Sequence, residues 1–109
     1  MRFMDNLYVG ELIGDPSDVF DKLKNRIPVT GVYCICLSPS SRFYAEILSS
    51  RELFSEKNRK KDYTVIGIAM GKPEAKEVFS TIVEDYISAG NENLSRFKTS
   101  FDSEEFISC

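Results

Sequence analysis

The chain has 109 residues, of which 42% are hydrophobic and 28% charged, with a formal net charge of −3. It is long and apolar enough to bury one core without disulfide or metal staples. A pI near 5.0 argues against a general binder of nucleic acid or anionic membranes. It contains no histidine, which removes the usual general base near neutral pH, histidine-based triads and most zinc sites.

No stretch approaches the ~18 apolar residues that span a bilayer. Met1 to Asn6 lacks the basic start and apolar middle of a signal peptide, so the reading is a cytoplasmic protein without a membrane role. The odd count of three cysteines fits a reducing compartment. Cys34 and Cys36 lie two apart on one face of an expected strand and read as small buried hydrophobes, and Cys109 is the last residue of the sequence. No cofactor is expected.

Phe3 to Ile13 holds a first strand centred on Leu7-Tyr8-Val9. Asp15-Pro16 then opens a short helix, with Asp15 as cap and Pro16 at the first helical position. Its buried stripe is Val19, Phe20, Leu23 and Ile27, and Pro28 ends it. Gly31 to Leu37 is a second strand, stopped by Ser38-Pro39-Ser40-Ser41. Arg42 to Leu48 follows with Phe43, Ala45 and Ile47 on one face, and the short connection predicts an antiparallel hairpin.

Ser49 to Asp62 is long for a link between strands. Leu53 and Phe54 pin its first half to the core in a helical turn, while Lys57, Arg59, Lys60 and Lys61 concentrate charge in its second half. A solvated loop tip accounts for these cations, with a docking site for an acidic partner as the sharper alternative.

Tyr63 to Met70 is nearly unbroken apolar and rich in β-branched residues, the pattern of a central strand or one covered on both faces. Gly71-Lys72-Pro73 changes the period, and a helix runs from Pro73 to Ala89, stopped by Gly90-Asn91. At 1.5 Å per residue the helix is about 26 Å long, matching the strand at 3.3 Å per residue. Glu74, Glu77, Glu84 and Asp85 read as one solvated acidic face. The glycines at Gly67 and Gly71 with Lys72 invite a phosphate-cradle reading, although Pro73 stands where a P-loop has its Ser or Thr. The plainer reading is that Gly67 admits a close neighbour and Gly71 makes the turn.

Residues 91–109 change composition: Leu94, Phe97, Phe101 and Phe106 form an apolar tail interspersed with acidic residues. Residues 1–90 are thus expected to form one α+β domain. The tail docks on it or on a neighbouring subunit. The expected architecture is an antiparallel or mixed sheet of about four strands with two helices on one face, loosely ferredoxin-like.

Function is much less legible than fold. The leading reading is a small protein-binding or regulatory module acting as a homo-oligomer, with Lys57, Arg59, Lys60, Lys61, Leu94, Phe97, Phe101 and Phe106 as its interface candidates. The alternative is a small-ligand or phosphate-binding domain using Gly67, Gly71 and Lys72. No catalytic constellation is present, and nucleic acid is disfavoured as a partner by the net charge.

Overall fold

The computed structural model describes residues 1–38, 45–59 and 61–90. They form an α+β fold built on a mixed sheet of four strands: β1 (Arg2–Val9), β2 (Val32–Leu37), β3 (Glu46–Ser49) and β4 (Thr64–Met70). The spatial order is β1-β4-β2-β3. β4 runs parallel to β1 and antiparallel to β2, and β2 and β3 form the expected antiparallel pair. The described chain also forms three α-helices, α1 (Pro16–Lys24), α2 (Ser50–Leu53) and α3 (Lys72–Ser88), and two 3-10 turns, Glu11–Ile13 and Glu56–Asn58.

The two long helices lie on opposite faces of the sheet, which corrects the expectation of both on one face. Ala75, Ile82 and Tyr86 of α3 pack with Met4, Ile35, Leu37, Ile66 and Ala69. Val19 and Leu23 of α1, with Leu53 of α2, pack with Val32, Cys34, Cys36, Val65 and Ile68. The physical reason lies in the central strands. β4 and β2 are apolar on both faces, and a one-sided arrangement would leave Cys34, Cys36, Val65 and Ile68 in water at about 25 cal/mol per Å² of apolar surface. The sheet is therefore sandwiched between helices, unlike a ferredoxin-like sheet with one bare face.

β4 carries a bulge. Ile35 pairs with Gly67 but Cys36 pairs with Val65, so Ile66 is the extra residue. β1 has its own irregularity, because Phe3 pairs with Val65 while Tyr8 pairs with Gly67. The stretch Met4–Leu7 is set between two regular segments.

The start of α1 is as expected: the Asp15 carboxylate accepts from the Ser17 amide at 3.1 Å. Its end is not. The helix stops at Lys24 in a Schellman arrangement, with the Arg26 amide donating to Leu23 O at 3.0 Å and the Ile27 amide to Lys22 O at 2.9 Å. Arg26 occupies the left-handed position at φ 59°, which places Ile27 outside the stripe and 50% exposed. Phe20 instead packs edge-on against Phe3 of β1 at 5.5 Å between centroids.

The first half of the long link is ordered as expected. Ser49 and Glu52 make a reciprocal capping box at the start of α2, and Leu53 is fully buried. Ser50 ties this turn to the segment before β2: its hydroxyl donates to Val29 O and accepts from the Val29 amide, both at 2.9 Å. Ser50→Ala should strand both of those backbone groups and lower stability by about 1–3 kcal/mol. Urea unfolding checks this; a loss below ~0.5 kcal/mol would mean that water replaces the hydroxyl.

Candidate functional site

The parallel pair β1 and β4 ends at the start of α3, and a cleft of about 360 Å³ opens there. Tyr8, Gly10 and Glu11 line it from the end of β1, and Glu77, Val78 and Thr81 line it from α3. The open crevice beyond the carboxyl ends of parallel strands is where α/β sheets commonly receive ligands.

Glu74 also lines the cleft. The helical period assigned it to a solvated face, but it is buried. Its Oε1 accepts from the Met70 amide at 2.8 Å and its Oε2 from the Leu12 amide at 2.9 Å. One carboxylate therefore joins the end of β4 to the 3-10 turn Glu11–Ile13 that follows β1. Gly10 makes this possible, since a Cβ there would collide with the Glu74 carboxylate. The sequence signal was thin: a glutamate in the first turn of a helix and a glycine just after a strand.

Further along α3, the Tyr8 hydroxyl donates to Asp85 Oδ2 at 2.8 Å. Partial burial and the Asp85 carboxylate hold the Tyr8 hydroxyl well above the ordinary tyrosine range. Tyr8 is thus a hydroxyl that keeps its proton and donates a hydrogen bond to Asp85. Among the described residues no group of three or more His, Cys, Asp or Glu is placed to hold a metal ion.

Gly67, Gly71 and Lys72 do not converge. Gly67 is buried within β4, where a Cβ would stand 3.2 Å from Ile35 Cδ1 and 3.3 Å from Val78 Cγ1. It admits the close approach of α3. Gly71 has φ 82° and its amide donates to Gly31 O at 2.7 Å, while Lys72 is exposed at the first helical position. The amides of Met70 and Gly71 are both engaged within the fold, and the carboxylate of Glu74 stands beside them.

Lys57, Arg59 and Lys61 are exposed. Arg59 pairs with Glu56 at 3.5 Å, and Lys61 Nζ lies 6.0 Å from the centre of the Tyr63 ring. Lys60, Leu94, Phe97, Phe101 and Phe106 lie outside the described residues. Cys34 and Cys36 are buried free thiols in the core between β2 and α1.

Comparison with known proteins adds no assignment. No family model matches the chain, and no curated protein or solved structure matches it. Among the described residues no helix is long and apolar enough to cross a membrane.

Proposed function

We propose that the chain is a small cytoplasmic protein-binding module that pairs with a second copy of itself along the free edge of β1. The observation that carries this reading is the position of β1. It is an eight-residue strand at the border of the sheet, hydrogen-bonded to β4 on one side and to no described strand on the other. An edge of this length with no described strand beside it is a template for strand addition. Exposed apolar side chains cluster with it, Val9 at 41% and Leu12 at 69%.

The irregularity in β1 favours one register. A two-fold axis between Asp5 and Asn6 puts the regular segment Arg2–Phe3 of one copy opposite Tyr8–Val9 of the other. The irregular stretch then lies on the axis. This register also sets each Asp5 against Asn6 rather than against Asp5, avoiding a like-charge pair. The buried thiols of Cys34 and Cys36 suit a reducing compartment. The ligand reading at Gly67 to Lys72 has less support, because a phosphate there would meet engaged amides and the Glu74 carboxylate.

Light scattering on the full chain across a range of concentrations tests the proposal, with a dimer expected. Asn6→Asp places carboxylates opposite each other twice, and should weaken the dimer about tenfold, the equivalent of ~1.4 kcal/mol. A strict monomer at millimolar concentration would overturn the reading.

A further inference from the structure

The cleft between the end of β1 and α3 has a lining of one consistent chemistry. Glu11 comes to it from the turn after β1, and Glu74 and Glu77 from α3, while Val9 and Val78 supply apolar wall. No lysine or arginine stands among the described residues that line it. Its hydroxyls have no donor to spare: Tyr8 donates to Asp85 Oδ2 at 2.8 Å, and Thr81 to the carbonyl of Glu77 at 3.2 Å. The Gly10 amide is spent on Ile68 O at 2.9 Å. A molecule held here must bring hydrogen-bond donors of its own.

Glu74 adds the charge. It is only 8% exposed, and its two oxygens accept one neutral amide each, from Met70 and from Leu12. A carboxylate offers about four acceptor sites, so capacity remains on both oxygens. Among the described residues no cation forms an ion pair with it. Buried charges are ordinarily matched by opposite ones. The positive end of α3 offsets part of this charge and would by itself favour an anion, but Glu74 already fills that position. What the cleft offers a visitor is therefore an unmatched carboxylate.

The geometry points to this cleft as a binding site for a linear aliphatic diamine, a function that goes beyond edge pairing and does not depend on it. At about 360 Å³ the cleft falls within the range of small-molecule sites. A metal ion suits it less, because among the described residues no group of three or more His, Cys, Asp or Glu could hold one. Carboxylates spread along a cleft instead match two ammonium groups held apart by a stem. Glu74 and Glu77, three apart on α3, stand about 5–6 Å from each other at Cβ. One ammonium meets the buried Glu74 and the other the exposed Glu77, with Glu11 on the facing wall and the methylenes against Val9 and Val78.

Calorimetric titration of the full chain with putrescine at low ionic strength tests this. Saturable binding of one molecule per chain is expected, with Kd below about 1 mM. Its absence would overturn the inference. Glu77→Gln leaves the bonds of Glu74 intact and should weaken binding about tenfold. Glu84→Gln removes the same charge from an exposed position on α3 outside the cleft and should change Kd less than about twofold. Equal losses in the two variants would mean general attraction of cations to an acidic protein, and would refute the site. n-Butylamine should bind much more weakly than putrescine; equal affinity would refute the pairing of two ammonium groups with two carboxylates. Light scattering reads none of these outcomes, so either proposal can fail alone.

Discussion

Gly10→Ala is expected to destabilise the fold by about 2–3 kcal/mol, although its backbone is an ordinary extended one at φ −68° and ψ 146°. At such a position alanine should be neutral or mildly favourable, because it restricts the unfolded chain. The cost arises from Glu74. A methyl group at Gly10 occupies the place of its carboxylate, and moving that carboxylate breaks its bonds to the amides of Met70 and Leu12. Hydrogen bonds to a charged group are worth about 1.5–3 kcal/mol each. Leu12 is 69% exposed, so water takes up part of its loss, whereas the Met70 amide at the end of the central strand has less recourse.

The same reasoning predicts a specific failure of additivity. Glu74→Ala alone should cost about as much as Gly10→Ala, since either change empties the same two bonds. In the Glu74→Ala background the space beside Gly10 is vacant, and adding Gly10→Ala should then be nearly free. A double-mutant cycle from urea unfolding with unchanged m-values should give a coupling of about 2 kcal/mol. Additive losses would mean that Glu74 finds another position without cost, and that the carboxylate does not tie β4 to the turn after β1.

Glu74 also shows where sequence reasoning stopped. The pattern of α3 was legible because Tyr63 to Met70 is continuous, β-branched and apolar, and Gly71-Lys72-Pro73 changes its period. Strand and helix emerged within a residue of the expected bounds. Helical period alone put Glu74 on the polar side. Its burial comes from Gly10 and Leu12, which are distant in sequence and adjacent only because β1 pairs in parallel with β4. The cleft shares this origin, as its two walls meet only once strand order is known. Strand order also decides which face each helix covers, and local periodicity does not encode it. The end of α1 was missed for a nearer reason: Arg26, rather than the usual glycine, takes the left-handed position.

The core between the sheet and α1 should make the protein sensitive to alkali. Burial pushes the Cys34 thiol from its ordinary 9.0 up to about 12. It raises Cys36 well above the same value, with further repulsion from Cys34 and Glu46. The Tyr63 hydroxyl is pushed from 10.0 up to about 12 by burial and by the charge of Glu46, which lies beside it without completing a well-formed hydrogen bond. All three groups are neutral when protonated. Between the ordinary value and the raised one, the unfolded chain releases a proton that the native chain keeps. The contribution of these three groups is therefore constant below about pH 9, and falls as pH rises through the interval to about 12.

For Cys34 alone the interval amounts to about 4 kcal/mol, at ~1.4 kcal/mol per pH unit. Total stabilities of small domains are only about 5–15 kcal/mol, so unfolding before pH 12 is expected. Urea unfolding at pH 7, 9, 10 and 11 would measure the decline. Cys34→Ala should remove one proton's share of the slope above pH 9, while its loss at pH 7 stays small because only one sulfur atom leaves the core. Tyr63→Phe removes a hydroxyl that makes no bond among the described residues, and should be neutral or stabilising at pH 7. Its own share of the slope would vanish only above pH 10, so the two variants separate thiol from phenol. A stability that stays level to pH 11 in the unaltered chain would mean that water reaches this core, and that the strands and α1 are packed less closely there than their burial indicates.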